Sequence, residues 1–265
     1  MSDPLSLIPL PGRVAIVTGG TRGIGRAIAE AFLQAGCEVA VCGRLEPEAL
    51  PSADGRVASF HACDLRDADQ ARALVDSVAE RHGRLDIVVN NAGGSPQADA
   101  ATASPRFSEA ILKLNLLAPL HVSQAAHRVM AAQEEGGSII NIASVSGIRP
   151  SPGTAIYGAA KAGLLGLTQS LAQEWGPRIR VNAIVVGLIE TENPEETYGT
   201  AAARDAIAAS LPLNRMGRGR DVAAAALYLA SPLAAYVSGA QLAVDGGGER
   251  PLFLEIVKAH AREPR

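Results

Sequence analysis

Tyr157 and Lys161 stand four residues apart at the start of a predicted helix, in the string Tyr-Gly-Ala-Ala-Lys. This spacing puts the phenol and the ammonium on the same helix face. A free phenol has a pKa of about 10, and a nearby cation favours the phenolate, which brings that pKa toward working pH. The pair can then give and take protons. The alternative is a chance pattern in which both side chains only reach toward solvent.

A glycine-rich turn, residues 18–25, lies between a predicted strand, Arg13 to Thr18, and a predicted helix, Gly23 to Ala35. Glycines let a backbone approach phosphates closely, and the amides that begin a helix favour anions. A turn in this position predicts a site for a dinucleotide pyrophosphate. Its spacing, Thr-Gly-Gly-Thr-Arg-Gly-Ile-Gly, is not the common GxGxxG pattern. The alternative is a tight structural turn.

These residues need a scaffold, and short Val- and Ile-rich runs along the chain predict one. Seven runs are typical of strands: Arg13 to Thr18, Glu38 to Cys42, Val57 to Ala62, Leu85 to Asn90, Ser138 to Ala143, Ile179 to Val185 and Gln241 to Val244. Because helical segments separate most of them, we predict a parallel sheet with helices on both faces. No long polar linker divides the chain. The predicted fold is α/β, a single doubly wound Rossmann domain of about seven parallel strands over residues 1–265.

Composition and charge exclude several classes of function. The chain has 24 basic and 27 acidic residues and a formal charge of -3, so it offers no broad positive field to nucleic acid. Its three cysteines form no CxxC pair, which favours a reducing compartment, and we predict no metal site. No apolar run reaches the roughly 18 residues of a membrane span, and no signal peptide pattern is present. We expect a cytoplasmic protein that binds neither nucleic acid nor membranes.

The glycine turn resembles the Thr-Gly-x-x-x-Gly-x-Gly turn of the short-chain dehydrogenases/reductases. The resemblance runs from about Gly12 to Gly248. Within that core the segment Asn90-Asn91-Ala92-Gly93 is similar to the family's Asn-Asn-Ala-Gly segment, which helps to build the floor under the cofactor, and the Tyr-Lys pair matches as well. The resemblance implies a nicotinamide-dependent oxidoreductase that moves a hydride between its cofactor and a carbonyl or secondary alcohol.

The resemblance also implies a catalytic tetrad. Tyr157 would exchange the proton, while Lys161 would contact the nicotinamide ribose and, together with the oxidised nicotinamide, lower the pKa of the tyrosine. Ser144, just after the fifth predicted strand, would hydrogen-bond the substrate oxygen; Ser146 is its rival, and turn capping is the alternative for both. Asn115 would hold a water that links the lysine to solvent. The alternative for a mid-helix Asn is a side chain that faces solvent.

Cofactor contacts are expected in the glycine turn and after successive strands. The residues that match are Gly19, Thr21, Arg22, Gly23, Ile24, Gly25, Arg44, Asp64, Leu65, Asn91, Ala92, Gly93, Gly187, Ile189 and Thr191, together with Tyr157 and Lys161. The family places an aspartate like Asp64 against the adenine. The alternative for Asp64 is a helix N-cap near Asp67.

The charges near the second strand favour NADP(H) over NAD(H). NAD-dependent members hold the ribose diol with an acidic side chain at the end of that strand, where a 2′-phosphate would be repelled. This position is Gly43, Arg44 follows it, and Arg22 lies in the glycine turn. Two guanidinium groups could therefore converge on the phosphate. NAD(H) stays possible, since a surface arginine is often only solvated.

The sequence departs from the family after the sixth strand, where Val186 replaces the proline of Asn-x-x-x-Pro-Gly. The replacement restores a backbone amide and loosens φ at this turn, so the cofactor wall is in doubt there. Among members the chain looks most like 3-oxoacyl thioester reductases, since it shares the strings Ile-Ile-Asn and Asp-Gly-Gly. Glu134 and Glu135 stand where members that dock acyl carrier protein carry basic residues, which argues against such a substrate.

The expected substrate is a coenzyme A thioester, a steroid or another lipophilic ketone. The residues expected to line its pocket are Ser95, Pro96, Ile148, Arg149, Val186 and Leu188. Residues 190–212 are rich in Glu, Ala and Thr and predict a lid over the site. Residues 249–265 form a tail with an apolar cluster that packs on its own domain, closes its own site or reaches a neighbour's site.

The family usually forms tetramers, so we expect a homotetramer. The small residues that would allow close helix approach are Ala155, Ala159, Ala162, Gly163 and Gly166. The sequence leaves three alternative functions: an NAD(H)-dependent hydroxysteroid or other alcohol dehydrogenase, a sugar-nucleotide epimerase, and a nucleotide sensor or scaffold without turnover. The chain length disfavours an epimerase, and the complete tetrad disfavours a silent protein.

Overall fold

The computed structural model describes residues 8–260, and its centre is a seven-stranded parallel sheet. The strands are β1 (Val14–Thr18), β2 (Glu38–Gly43), β3 (Ser59–Ala62), β4 (Ile87–Asn90), β5 (Gly137–Ser144), β6 (Ile179–Val186) and β7 (Gln241–Val244). Their order across the sheet is β7-β6-β5-β4-β1-β2-β3. Strand β1 is buried along its whole length, as a strand covered on both faces must be.

Two sets of helices cover the two faces of the sheet. Their bounds are α1 (Gly23–Gln34), α2 (Ala68–His82), α3 (Pro105–Leu112), α4 (Ala118–Met130), α5 (Ala155–Trp175), α6 (Pro194–Tyr198), α7 (Ala201–Ser210), α8 (Gly219–Ala230) and α9 (Leu252–Ala259). Helices α1 and α8 bury Phe32 and Leu227 against one face. Helices α2 and α4 bury Val75 and Met130 against the other. The predicted doubly wound fold is confirmed.

The order of the strands reverses at β1, which pairs with β2 on one side and with β4 on the other. Thr18 lies beside Cys42 of β2, and Val17 lies beside Val89 of β4. A crevice opens at the carboxyl ends of strands where the winding reverses in this way. The glycine turn after β1 and the Asn-Asn-Ala-Gly segment after β4 therefore lie side by side.

The predicted third strand was wrong at its start. Residues Arg56–Val57 leave the main sheet and pair with Ser52–Ala53 in a short antiparallel hairpin. The hairpin turns through Asp54 and Gly55, both at positive φ, and the sheet strand begins only at Ser59. Other strand limits differ by one or two residues, and β4 begins at Ile87.

An ion-pair network ties together the amino ends of the central strands. Asp86, directly before β4, is 3% exposed and accepts hydrogen bonds from the Val14 amide, Arg13 and Arg84. Burial by itself raises the pKa of Asp86, yet hydrogen bonds from Arg84 and the Val14 amide hold that pKa below its usual value. Glu135 bridges the same two arginines, at 2.5 Å and 3.0 Å.

The predicted lid, residues 190–212, contains the short helices α6 and α7. It begins beside a two-residue strand, Ile189–Glu190, which pairs with Gly217–Arg218. Helix α9 carries the apolar cluster of the tail, whose members are Leu252, Phe253, Leu254, Ile256 and Val257; each is at least 49% exposed. Packing of this cluster on its own domain is therefore not seen, and tail residues 261–265 lie outside the described part. Within residues 8–260 no helix combines the length and apolarity needed to cross a membrane.

Candidate active site

Ser144 and Tyr157 meet at the carboxyl end of β5. Ser144 is the last residue of that strand, and its hydroxyl accepts a hydrogen bond from the Ser146 amide at 3.2 Å. Tyr157 lies in the first turn of α5, where the Ser144 hydroxyl is close enough to affect the pKa of the phenol. Ser146 instead packs its backbone oxygen against Gly158, where an added β-carbon would lie 2.8 Å away. Of the two serines, Ser144 is the one beside the phenol.

Burial has the largest effect on the pKa of the Tyr157 phenol in this structure. It raises the pKa of Tyr157 above 10, and the hydrogen bond with Ser144 offsets only part of that rise. Lys161 is not among the groups that shift this pKa, so the lowering expected from its charge is not seen here. Tyr198 of α6 also raises the pKa of Tyr157, so the lid reaches the catalytic side of the site.

Lys161 is fully buried beneath the tyrosine. Its ammonium donates to the Ile142 carbonyl at 2.7 Å and lies 5.6 Å from the centre of the Tyr157 ring. Burial lowers the pKa of Lys161 from 10.5 to about 8. The alternative of a lysine that merely reaches solvent is wrong for this residue.

Asn115 is buried in a π-helical segment, Lys113–Leu117, between α3 and α4. Its amide accepts from the Gly94 amide at 2.9 Å and donates to the Gly94 carbonyl and the Ile111 carbonyl, both at 3.0 Å. The solvent-facing alternative is therefore wrong. A β-carbon added at Gly93 would lie 2.6 Å from Asn115 Oδ1 and 3.4 Å from Lys161 Nζ. Asn115 and Lys161 thus both lie beside Gly93, in the segment after β4.

Hydrogen bonds and close packing hold the glycine turn against the segment after β4. Gly25 has no room for a side chain, because an added β-carbon would lie 2.3 Å from the Gly19 carbonyl and 2.4 Å from the Asn91 amide nitrogen. That nitrogen donates to the carbonyls of Thr18 and Gly19 at 2.9 Å and 3.2 Å. The Thr18 hydroxyl accepts from the backbone amides of Asn91 and Ala92. Thr18 was absent from the predicted site residues, although it opens the motif.

The other residues of the turn differ in exposure. Gly19 and Gly23 adopt positive φ, +61° and +56°, which favours glycine at both positions. Ile24 packs partly against the core, and Thr21 lies beside Gly43, where an added β-carbon would be 3.8 Å from the Thr21 methyl group.

Arg22, in the glycine turn, and Arg44, directly after β2, are both exposed. Asp64 is held by Arg66, which donates from Nε at 2.9 Å and from Nη2 at 2.5 Å. This pairing, with a smaller contribution from the charge of Arg44, lowers the pKa of Asp64 to about 2. The N-cap of α2 is Asp67, so the capping alternative for Asp64 is wrong. Leu65 is buried in the core, which leaves only its backbone for a ligand.

The backbone at the end of β6, which was predicted to form a wall of the cofactor site, is held in place although it lacks the family's proline. Val186 stays in register between Ser144 of β5 and Val244 of β7. The Gly187 amide donates to the Val244 carbonyl at 3.0 Å, and a β-carbon at Gly187 would lie 2.7 Å from Asp245. Sheet pairing and close packing therefore supply the restraint that the missing proline put in doubt.

Two lid residues that sequence reasoning missed touch backbone amides of the predicted cofactor site. Glu192 accepts from the Gly23 amide at 2.7 Å, and the Tyr198 hydroxyl accepts from the Ile189 amide at 3.2 Å. Thr191 follows the same path, with its methyl group 3.6 Å from the position of a β-carbon at Gly23. No motif or periodicity marks Glu192 or Tyr198 in the sequence.

The predicted substrate residues have different surroundings and do not all line one cavity. Ile148 is 58% exposed, Arg149 pairs with Glu249 at 2.7 Å, and the Ser95 hydroxyl donates to the Pro96 carbonyl. Leu188 lines a cavity of about 440 Å³ that none of the four tetrad residues lines. Within residues 8–260 no group of three or more His, Cys, Asp or Glu side chains is placed to hold a metal ion.

Known proteins resemble this chain along most of its length. The sequence model of a family described as enoyl-(acyl carrier protein) reductase matches residues 19–249. The 3-oxoacyl-(acyl-carrier-protein) reductase of Thermotoga maritima is 36% identical over 245 residues, which cover 90% of this chain and 98% of that protein. The 3α-hydroxysteroid dehydrogenase of Mediterraneibacter gnavus is 38% identical over 250 residues, covering 89% and 97%.

A solved structure agrees with the fold. The ligand-free aldohexose dehydrogenase of Thermoplasma acidophilum is similar with a TM-score of 0.83 and 30% identity, over 96% of this chain and 98% of that one. The family match begins in the glycine turn and ends just beyond β7, the span over which the motifs resemble one family. The chain belongs to the short-chain dehydrogenase/reductase family.

Proposed function

We propose that this protein is an NADP(H)-dependent oxidoreductase that interconverts a ketone and a secondary alcohol, with Tyr157 as the acid and base. The observation that carries the proposal is the Ser144 hydroxyl beside the phenol, with the Lys161 ammonium 5.6 Å from the centre of the Tyr157 ring and Asn115 beside the same glycine, Gly93, as Lys161. Members of the family use a nicotinamide dinucleotide and act on alcohol or keto groups. A catalytically silent sensor would not need all four of these side chains.

The crevice at the reversal of strand order fits a dinucleotide. Gly19 and Gly23 adopt positive φ in the turn that leads into α1, where helix amides favour an anion, and the packing around Gly25 brings that turn against the Asn91 segment. When bound, the nicotinamide would supply or accept the hydride. Gly187, Ile189 and Thr191 would form the wall on the other side.

The protein's own groups would handle the proton. In reduction Tyr157 donates its phenolic proton to the carbonyl oxygen, and the Ser144 hydroxyl stabilises the developing negative charge on that oxygen. A phenol whose pKa is raised by burial stays protonated at neutral pH, as a proton donor must be. In oxidation Tyr157 removes the alcohol proton, and a charged Lys161 favours that step by stabilising the phenolate.

The preference for NADP(H) rests on charge. Arg22 and Arg44 are exposed near the end of β2, and no acidic side chain occupies the Gly43 position. A carboxylate there would repel a 2′-phosphate, whereas guanidinium groups bind phosphate well. An NAD(H)-dependent alcohol dehydrogenase is the second candidate for cofactor use.

The proposed substrate is a lipophilic ketone or a 3-oxoacyl-like thioester. The relatives named above act by their names on an acyl carrier protein thioester, a steroid and an aldohexose, so similarity alone does not choose among them. The charge argument against a carrier protein is weaker than the sequence implied, because Glu135 is paired with Arg13 and Arg84. Carrier-bound and coenzyme A-bound acyl groups therefore both belong in the assay.

We also propose a homotetramer and a cytoplasmic location. All five small residues that were expected to allow helix approach are exposed on α5 of the single subunit: Ala155, Ala159, Ala162, Gly163 and Gly166. The three cysteines, Cys37, Cys42 and Cys63, are buried free thiols, as a reducing compartment permits. Light scattering of the purified protein would test the assembly.

The first test is cofactor oxidation followed at 340 nm with NADPH and NADH in parallel. The panel holds acetoacetyl-CoA, an acetoacetyl carrier protein, steroid ketones and simple diketones. Turnover with NADPH that is lost in Tyr157→Phe supports the proposal. NADPH binding without turnover on any ketone favours a nucleotide sensor instead.

A further inference from the structure

The lid occupies two hydrogen-bonding positions of the proposed cofactor site. The Glu192 carboxylate accepts from the Gly23 amide at 2.7 Å, at the first residue of α1. The Tyr198 hydroxyl accepts from the Ile189 amide at 3.2 Å, on the opposite wall. These contacts lie at two ends of one short segment, residues 192–198.

Glu192 supplies a charge that α1 lacks. The first turn of that helix holds no acidic residue, and the side chain of its N-cap, Arg22, makes no capping hydrogen bond. The positive end of a helix attracts an anion, and a carboxylate or a phosphate satisfies it equally well. Glu192 lies 169 residues along the chain from Gly23, so only the path of the lid brings its carboxylate to this amide.

Tyr198 makes the corresponding contact on the other wall. It is the last residue of α6, and its half-buried phenol lies close enough to Tyr157 to influence that residue electrostatically. The Ile189 amide to which it bonds belongs to the predicted set of cofactor contacts. A neutral hydroxyl oxygen there resembles, as an acceptor, the oxygen of a carboxamide.

We propose that Glu192 and Tyr198 compete with the dinucleotide for the Gly23 and Ile189 amides, so that these two lid residues set the affinity for the cofactor. The carboxylate stands in for the pyrophosphate, and the hydroxyl stands in for the carboxamide oxygen. Cofactor binding then requires the segment 192–198 to leave both amides. This inference rests on the proposed function, since it assumes that a nicotinamide dinucleotide binds in this crevice.

Isothermal titration calorimetry with NADPH tests the competition on the purified protein without turnover. Glu192→Gln keeps the shape of the side chain but removes the charge, so NADPH binds three- to tenfold more tightly, where tenfold equals about 1.4 kcal/mol. Tyr198→Phe removes the acceptor oxygen and tightens binding about two- to threefold. The control is Glu196→Gln, an equal loss of charge at an exposed residue of the same segment, 192–198, which leaves the affinity unchanged.

A second ligand separates local competition from a general change in charge. Adenosine 2′-monophosphate lacks both the pyrophosphate and the nicotinamide, so its affinity is the same in all four proteins. Unchanged or weaker NADPH binding by Glu192→Gln overturns the inference, and so does an equal gain for adenosine 2′-monophosphate. If the unmodified protein binds neither NADPH nor NADH, the proposed function itself fails, and that outcome is distinct from the others.

Discussion

The ammonium of Lys161 lies 2.7 Å from the carbonyl oxygen of Ile142. Ile142 belongs to β5, two residues before Ser144, and Lys161 belongs to α5, four residues after Tyr157. One hydrogen bond therefore ties the helix that carries the phenol to the strand that carries the serine. The relative position of the two proposed reacting side chains depends on this contact.

Replacement of Lys161 by Met should raise stability while it lowers activity. The pKa of Lys161 is lowered from 10.5 to about 8, so the unfolded chain binds this proton more tightly than the native state does. The resulting penalty is complete below pH 8 and fades as the pH rises toward 10.5. At about 1.4 kcal/mol per pKa unit, Lys161→Met should raise the free energy of unfolding by up to about 3 kcal/mol at pH 7. The contribution of the lost hydrogen bond is subtracted from this gain.

Urea unfolding at pH 7, 8, 9 and 10 would measure this effect as the difference between Lys161→Met and the unmodified protein. That difference should shrink above pH 8. Lys113→Met, at an exposed position of the π-helical segment, is the matched control and should show no such trend. A difference that stays constant with pH would contradict the assignment of the lowered pKa.

Tyr157→Phe should abolish the chemistry and spare cofactor binding. Loss of a general acid and base lowers kcat by about 10²- to 10⁴-fold. The phenyl ring keeps the packing, so the dissociation constant for NADPH should change less than about twofold. Tyr236→Phe is the control, because Tyr236 is fully exposed. Retention of most of the activity in Tyr157→Phe would exclude the proposed mechanism.

Gly93→Ala should disturb two tetrad residues at once. The added methyl group would lie 2.6 Å from Asn115 Oδ1 and 3.4 Å from Lys161 Nζ, so Asn115 must shift away from Gly94. Overpacking of this kind costs about 1–3 kcal/mol of stability, measured by urea unfolding. We expect kcat to fall by one to two orders of magnitude, since geometry near the phenol is lost.

The control for that substitution is Gly166→Ala on α5. Apart from its chain neighbours and the backbone of its own helix, no atom of the described residues lies within 4 Å of the added β-carbon. Alanine favours a helix over glycine by about 1 kcal/mol, so this variant should be as stable as the unmodified protein or more so. Because Gly166 is also one of the small residues of the proposed tetramer contact, light scattering must show the same assembly for the comparison to count. If the two variants had the same free energy of unfolding and the same kcat, the close approach of Gly93 to Asn115 would not matter for stability or activity.

Gly43→Asp should move cofactor preference toward NADH. The nearest atoms to a β-carbon at Gly43 are 3.6 Å away, so the side chain fits, and its charge would repel a 2′-phosphate. The ratio of kcat/KM for NADPH to that for NADH should fall at least about 100-fold, which corresponds to about 2.7 kcal/mol. Arg44→Ala should lower the same ratio about tenfold.

Arg72→Ala is the matched control for Arg44→Ala. Arg72 is also exposed, but it lies on α2 and pairs with Asp69, so its loss should leave the ratio unchanged. An unchanged ratio in Gly43→Asp would show that the end of β2 does not choose the cofactor.

Much of the fold could be predicted because it depends on local pattern, whereas the proposed tetrad was identified through the resemblance of its motifs to a family. Val- and Ile-rich runs marked all seven strands of the main sheet to within two residues, and the Tyr157 to Lys161 spacing placed both side chains on one face of α5. The start of the third strand was missed, since the hairpin that displaces it turns on Asp54 and Gly55 rather than on hydrophobic pattern.

Contacts made by single polar side chains over long separations were not predictable. Glu192 reaches Gly23 across 169 residues, and nothing in its neighbours distinguishes it from Glu195 or Glu196. The raised pKa of Tyr157 was missed for a similar reason. Its cause is burial, which depends on how the whole site packs and not on the spacing to Lys161.

The ion-pair network around Asp86 lies at the amino ends of the strands, and the proposed chemistry lies at their carboxyl ends. The two edges of the sheet therefore have separate roles: the amino edge aligns the strands, and the carboxyl edge carries the proposed chemistry. Mutations among the loops at the carboxyl edge can explore new substrates while Asp86, Arg13 and Arg84 keep the strands aligned at the opposite edge. Such a division lets one scaffold diversify without first losing its ability to fold.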